Sequence, residues 1–446
     1  MKKITVIGTG YVGLVSGTCF SEIGHQVICC DIDQNKIEQL KQMKMPIYEP
    51  GLEDLVRKNV HDGRLTFTSD VSVAIQHSEI IFIAVGTPMS ETGEADLTYV
   101  KAAAKMIGEN LNDYKIVVTK STVPVGTSRI VRQIISKHAF TSVSFDVASN
   151  PEFLREGSAI SDCMNMDRAV IGASSDMAAK IIEEIHEPFH TKVLITDLES
   201  AEMIKYAANA FLATKISFIN AIANVCELVG GDIVKVAEGM GLDSRIGNKF
   251  LRAGIGYGGS CFPKDTLALH HLARVAGYDF SIIQSVIDTN DKQKTIVIDK
   301  LLKALGDVEG NAISVLGLTF KPNTDDLRYA PSLSIIPILL NKGAKVKVFD
   351  PIALDGVKRY FGASVTYHDD VYDALHDSDA CLVLTEWEEI VGLDLDKAKS
   401  IMKEPIIIDG RNCFDLEIMN SRGFHYQSIG RPAVGEERIG NLAVTN

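Results

Sequence analysis

The sequence predicts an α/β chain: two doubly wound parallel-sheet domains joined by one long central helix. Three observations carry this. A strand, glycine-rich turn, helix and second strand open the chain; a weaker copy of that pattern begins near residue 312; and an apolar helical periodicity of about thirty residues runs between them. The length of 446 residues suits roughly three domains of about 150 residues each. We place them at 1–196, 197–300 and 301–446, the middle one a helical linker that also serves dimerisation. A composition of 46% hydrophobic and 23% charged residues is that of a folded chain rather than a disordered one. The net charge of −13 argues against a nucleic-acid partner, because phosphate binding needs a basic face.

The first βαβ unit is read from Ile4–Ile7, the glycine run Gly8-Thr9-Gly10-Tyr11-Val12-Gly13, a helical stretch to Ile23, and the strand Gln26–Cys30 ending at Asp31. In such a Rossmann-like unit Gly8 permits the tight turn and Gly10 lets backbone N–H groups approach a pyrophosphate. Gly13 allows close helix–strand packing, and the helix N-terminus attracts phosphate charge. Asp31 lies eighteen positions past Gly13, where a carboxylate binds the ribose hydroxyls of NAD and repels the 2′-phosphate of NADP. NAD is therefore the expected cofactor, with FAD or a bare nucleotide as the other readings, and Asp33 competes with Asp31 for the ribose.

Lys2-Lys3 and the apolar run after them imitate a signal peptide, but the glycine fingerprint interrupts the run and a second strand follows at once. The nearest thing to an uninterrupted membrane segment, Leu333–Leu340, is far shorter than the ~18 residues a span needs and contains Pro337. The expectation is a cytoplasmic protein with no membrane partner.

Strands at Glu79–Val85, Lys115–Thr119 and Ser144–Ser149 each end in a turn-rich segment: Gly86-Thr87-Pro88, Lys120–Pro124, and Asn150–Glu156. Ligands bind outside the carboxyl ends of parallel strands, so these segments are candidates for nicotinamide and substrate contacts. The long helix follows, with Thr196 and Glu199 as a capping box and apolar residues recurring from Met203 to Cys226 before Gly230-Gly231. About thirty residues span roughly 45 Å, a length typical of a helix that joins domains or packs on its twin in a dimer. Lys205 and Asn209, four apart, share one face.

The weaker copy comprises strands at Ala312–Gly317, Lys345–Phe349, Ala380–Leu384 and Ile406–Ile408, and a helix over Leu333–Asn341. It lacks the glycine fingerprint; Phe320-Lys321-Pro322-Asn323-Thr324-Asp325-Asp326-Leu327-Arg328 stands in its place, where cationic side chains suit a diphosphate. Two nucleotide-binding domains imply that cofactor and substrate are both nucleotides.

The chemistry centres on Gly254-Ile255-Gly256-Tyr257-Gly258-Gly259-Ser260-Cys261-Phe262-Pro263-Lys264-Asp265. Glycine at this density is costly to fold and marks backbone that approaches a ligand closely. Cys261 at its end is a nucleophile candidate, with Lys264 nearby to favour the thiolate. Of the eight cysteines, Cys19, Cys29, Cys30, Cys226 and Cys381 fall within strand or helix patterns and read as core; Cys163 and Cys413 are unassigned. No spacing of Cys or His suggests a metal.

Across nearly its whole length the chain resembles the UDP-glucose 6-dehydrogenases, within the wider group that oxidises UDP- or GDP-sugars. The resemblance rests on GTGYVG at 8–13, YEPGLEDL at 48–55, GTP at 86–88, KSTVPVGT at 120–127, NPEFLREGSAI at 150–160, EMIKYAANAFLATKISFIN at 202–220, GGSCFPKD at 258–265 and FKPNTDDLR at 320–328. It implies a four-electron oxidation of a primary alcohol by NAD through a thiohemiacetal and a thioester on Cys261. Lys205 and Asn209 then stabilise an oxyanion, and Asp265 with Thr122 positions a water. Glu152 or Glu156 is the hydrolysis base, an alternative that the sequence leaves open.

By the same resemblance Gly8, Gly10, Tyr11, Val12, Gly13, Asp31, Lys36, Thr87, Thr122, Glu156, Lys264 and Arg328 hold the cofactor. Glu152, Phe153, Leu154, Lys205, Asn209, Phe250, Tyr257, Gly258, Phe320, Lys321 and Arg411 hold UDP-glucose, and Arg245 reaches the neighbouring site of a homodimer. Tyr329 stands where many relatives carry an acidic residue. GDP-mannose 6-dehydrogenase or another UDP-hexose dehydrogenase is the alternative activity. A two-electron hydroxyacid dehydrogenase would not need Cys261, and a non-catalytic NAD-binding regulator would need none of Lys205, Asn209 and Cys261.

Overall fold

The computed structural model describes residues 1–90, 93–140 and 142–435. They form two compact units: 1–208 with 267–277, and 209–266 with 278 onward. The helix Leu198–Val229 begins in the first unit and ends in the second.

The first unit is built on an eight-stranded sheet: β1 (Lys3–Ile7), β2 (Gln26–Cys30), β3 (Leu65–Thr68), β4 (Ile80–Ile83), β5 (Lys115–Thr119), β6 (Phe145–Ser149), β7 (Arg168–Ala173) and β8 (Lys192–Thr196). Its order is β3-β2-β1-β4-β5-β6-β7-β8. β1, β4 and β5 are buried almost throughout, as expected of strands covered by helices on both faces. The order reverses between β1 and β4, which makes the carboxyl ends of those two strands the place where a ligand binds. The sheet departs from the expected parallel arrangement at one joint, where β6 and β7 pair antiparallel. The sequence reading missed β3, β7 and β8. The edge strand β8 leaves Leu194 and Ile195 about half exposed, so its sequence shows no clean alternation of buried and exposed positions.

The long helix does not use the expected capping box. Asp197 caps it, accepting from Ser200 N at 2.7 Å and Ser200 Oγ at 2.8 Å, because Asp is as good an N-cap as Thr and stands one residue nearer the first turn. Glu199 instead pairs with Arg129. By length and composition this helix could cross a bilayer, which a search for uninterrupted apolar runs overlooks. Yet Glu202, Lys205, Asn209 and Asn220 along it are all buried and hydrogen-bonded to protein groups.

The second unit carries a wholly parallel six-stranded sheet of β9 (Ala312–Leu316), β10 (Lys345–Phe349), β11 (Thr366–His368), β12 (Ala380–Val383), β13 (Ile406–Asp409) and β14 (His425–Ser428), in the order β11-β10-β9-β12-β13-β14. Pro337 lies inside the helix Ser332–Asn341 without ending it. Burial of Ile335, Ile336 and Leu339 outweighs the roughly 3 kcal/mol that an interior proline costs.

The pseudo-repeat is closer than the sequence suggests. Gly317 occupies the place of Gly8: both have positive φ, and both donate their N–H to the last residue of the neighbouring strand, Gly8 to Cys30 and Gly317 to Phe349. Asp350 matches Asp31 but is 2% exposed and saturated by Leu318 N, Ile352 N, Ala353 N and Trp387 Nε1. The second copy therefore keeps the first glycine and the strand-end carboxylate, and uses the carboxylate to hold its own loops.

Candidate active site

Three glycines do three different things at the carboxyl end of β1. Gly8 has φ +103°, and a Cβ there would lie 2.6 Å from Ala84 O; a Cβ on Gly13 would run into Gly8 O. Both are glycines for reasons internal to the fold. Gly10 is at an ordinary φ of −74° and caps the helix Tyr11–Glu22, with nothing within 4 Å of its missing Cβ. Its backbone faces open space at a helix N-terminus, which is what a pyrophosphate requires.

Asp31 accepts from Thr9 N at 2.9 Å and Thr9 Oγ1 at 2.8 Å. Burial raises its carboxyl pKa, but these bonds, the Asp33 N–H and the charge of Lys36 prevail and hold it below the usual carboxylate range. It is therefore an anion at neutral pH. Asp33 is the N-cap of Gln34–Lys41, accepting from Asn35 and Lys36 N. Thr87 and Thr122, after β4 and β5, are joined by a Thr87 Oγ1–Thr122 O bond of 2.8 Å. These groups fit NAD.

Further along the same unit, Glu152 and Lys205 form a buried ion pair at 3.2 Å, both side chains about 5% exposed. Glu152 also accepts from Leu154 N at 2.5 Å. Phe153 lies under two cations, Arg168 at 3.6 Å and Lys205 at 5.4 Å from its ring centroid. Glu156, four residues further along the same loop, is half-buried, whereas Glu152 is buried. Beside them the fully buried Lys120 donates to Asn150 Oδ1 at 3.0 Å, and burial pushes its ammonium pKa down.

Two carboxylates that the sequence reading left without a role shape the loops. Glu202 accepts from Gly126 N, Ser128 N and Ser128 Oγ at 2.6, 2.8 and 2.7 Å, fixing the end of the loop that carries Thr122. Glu49 accepts from Gly157 N and Ala159 N, fixing the loop that carries Glu152 and Glu156. Both acids lie within the quoted family motifs, the one signal that could have found them.

In the second unit Cys261 sits at the start of the helix Phe262–Val275, its carbonyl accepting from Asp265 N at 2.8 Å. Cys261 and Cys413 are the two half-exposed cysteines; the other six are buried, which settles Cys163 as a core residue. Asp265 is fully buried, with one oxygen 2.6 Å from Lys264 Nζ and the other 2.6 Å from Asn209 Nδ2. Tyr257 and Phe250 pack around Phe262 at 5.9 and 6.2 Å between ring centroids. Gly258 abuts the Tyr329 carbonyl, and Gly259 leaves room for the Phe320 ring, 2.7 Å from where a Cβ would stand. Arg411 donates to Leu384 O, Gly256 O and Phe320 O, tying three loops together.

The structure thus gathers Tyr257, Gly258, Phe320 and Arg411. Lys321 lies 5.5 Å from the Phe320 ring, while Arg328 is paired with Asp326. Arg245 is almost fully exposed and pairs with Asp243 in its own loop. Phe250, Asn323, Tyr329 and Asn412 all have φ between +53° and +65°. Non-glycine residues held there cost about 1 kcal/mol or more each and gather at ligand sites. Among the described residues no cluster of His, Cys, Asp or Glu is placed to hold a metal.

A dinucleotide fingerprint on one mostly parallel sheet, a second nucleotide-type domain, and a cysteine at a helix start define an NAD-dependent oxidoreductase. The chain belongs to the UDP-glucose/GDP-mannose dehydrogenase family: the NAD-binding domain of that family matches residues 2–190, its central domain 199–292 and its UDP-binding domain 314–416. It is 65% identical over 434 residues to the UDP-glucose 6-dehydrogenase TuaD of Bacillus subtilis, covering 97% of this chain and 94% of that one. It is 51% identical to the UDP-glucose 6-dehydrogenase YwqF of the same organism, over 97% and 98% of the two chains. The solved UDP-glucose dehydrogenase from Pyrobaculum islandicum superposes with a TM-score of 0.89 at 39% identity, over 93% and 95% of the two chains.

Proposed function

We propose that the protein is a cytoplasmic UDP-glucose 6-dehydrogenase that oxidises the sugar C6 alcohol to a carboxylate in two NAD-dependent steps through Cys261. The observation that carries the reading is the placement of Cys261: a half-exposed thiol at a helix N-terminus, ending a glycine loop, in a chain 65% identical to an enzyme of that name.

NAD supplies a hydride acceptor in each step. The residues do the rest. In the first oxidation the alcohol proton leaves by a water that Asp265 and Thr122 position. The Cys261 sulfur then bonds to the resulting aldehyde carbon, and the positive end of the helix favours an anionic sulfur there. Loss of the second hydride converts the thiohemiacetal to a thioester; water attacks its carbonyl, the C–S bond breaks, and the thiol is restored with the carboxylate. Each oxidation and the hydrolysis pass through negative charge on oxygen, which Lys205 and Asn209 stabilise from one helix face. Of the two glutamates, Glu152 is the better hydrolysis base, because its ion pair with Lys205 keeps base and oxyanion stabiliser together.

The homodimer is part of the proposal. Phe211, Phe218 and Val225 recur every seven residues along the long helix and are 51–65% exposed, and Leu242 nearby is 83% exposed. A stripe of this period on a helix suits a second copy of the same helix, and Arg245 in the adjoining exposed loop is the group that would reach the partner's site.

The test is Cys261→Ser. Rapid-quench mass spectrometry of the wild type with UDP-glucose and NAD should find the uronyl thioester on Cys261, and the variant should bind NAD normally while making no UDP-glucuronate. Full turnover by the variant would remove Cys261 from the mechanism.

A further inference from the structure

The loop 254–259 is buried along its whole length yet has no regular secondary structure, so its backbone N–H and C=O groups need partners elsewhere in the fold. Ile255 N and Gly259 N donate to the backbone carbonyls of Gly410 and Arg328, and Arg411 serves Gly256 O; three side-chain amides of the second unit serve Gly254 and Tyr257. Asn290 contacts both polar groups of Tyr257: Tyr257 N donates to Oδ1 at 2.8 Å and Nδ2 donates to Tyr257 O at 3.1 Å. Asn220 Oδ1 accepts from Gly254 N at 2.9 Å, and Gln293 Nε2 donates to Gly254 O at 2.8 Å. All three amides are 2% exposed or less.

The fit is demanding. A Cβ on Gly256, whose φ is +87°, would lie 2.6 Å from Asn290 Oδ1, so the loop can pair with this amide only as glycine. Asn224 in turn donates to Gln293 Oε1 at 3.0 Å and orients that amide. The arrangement also leaves Asn220 Nδ2 buried without a partner among the described residues. Such an orphan is normally selected against, and here it accompanies the bond to Gly254 N.

We propose that Asn220, Asn290 and Gln293 are positioning residues. Together they form an amide clamp that replaces secondary structure in the cysteine loop and thereby sets where the Cys261 sulfur meets the sugar. The clamp grips the loop in two places, at Gly254 and Tyr257, and Asn290 and Gln293 come from one helix, Ser281–Gln293. It rests on the reading of Cys261 as the nucleophile and adds Asn290 and Gln293, which lie outside the family motifs, to Asn220, which ends the motif at 202–220.

The test uses Asn290→Asp, which keeps an acceptor for Tyr257 N but places negative charge against Tyr257 O, and Gln293→Met, which keeps size and loses the donor to Gly254 O. Both are assayed in the full-length enzyme beside Cys261→Ser. The expected result is a kcat/KM for UDP-glucose lowered tenfold or more with the NAD dissociation constant within twofold of wild type. If Asn290→Asp does not fold, Gln293→Met alone decides. A folded clamp variant with kcat/KM for UDP-glucose within twofold of wild type, or one that loses NAD affinity equally, overturns the clamp. Full activity of Cys261→Ser would instead sink the nucleophile assignment, whatever the clamp variants do.

Discussion

The three fingerprint glycines should separate cleanly when each is changed to alanine. At Gly10 the backbone lies in a region any residue adopts and the new methyl meets nothing within 4 Å, so stability should stay within about 1 kcal/mol of wild type and can rise slightly through reduced unfolded-chain entropy. NAD affinity should fall at least tenfold, about 1.4 kcal/mol, because the methyl occupies the space above the helix N-terminus. At Gly13 the methyl runs into Gly8 O and lies 3.2 Å from Ala84 Cβ, so overpacking should destabilise the fold by about 3 kcal/mol. Gly8→Ala should do the same through its φ of +103° and the 2.6 Å approach to Ala84 O. Urea unfolding gives the stabilities and calorimetric titration the NAD affinities. Gly10→Ala binding NAD as the wild type does would refute the assignment of that turn to the pyrophosphate.

Other expectations follow from single contacts. Glu202→Gln turns an amide N–H₂ toward donors it cannot serve, and should cost about 2–3 kcal/mol in urea unfolding while lowering kcat through the Thr122 loop. Breaking the buried Lys205–Glu152 pair by Lys205→Met or Glu152→Leu should destabilise by about 3–5 kcal/mol, whereas the double variant should regain most of that stability and remain inactive; activity in the double variant would contradict the catalytic roles. His186, buried among Phe20 and Phe189, is pushed down to about 4 by burial. Its unfolded form binds the proton first, so stability should be lost as pH falls from about 6.5 toward 4, by about 2 kcal/mol at pH 5. His186→Leu should flatten that part of the stability profile, and an unchanged slope would contradict the assignment.

How much was legible follows from where the physics is local. The βαβ start could be read because glycine spacing, a β-branched run and Asp31 each have one local meaning, and the long helix because its periodicity persists over thirty residues. Cys261 stood out because glycine density is unusual. The edge strand β8 and the antiparallel joint at β7 were not legible, since pairing partners far apart in sequence decide them. Asp197 was passed over for Thr196 because two good caps stood side by side. The clamp was invisible for a different reason: Asn220, Asn290 and Gln293 look like ordinary polar helix positions until the fold brings the loop against them. The match of Gly317 and Asp350 to Gly8 and Asp31 was overlooked because the other two glycines of the fingerprint are missing around them.

The central claim is a four-electron oxidation carried through a covalent intermediate, and the most direct measurement is the number of NADH formed per UDP-glucose consumed to completion. Two NADH and one UDP-glucuronate per sugar is the expected result. One NADH with release of the aldehyde would contradict it.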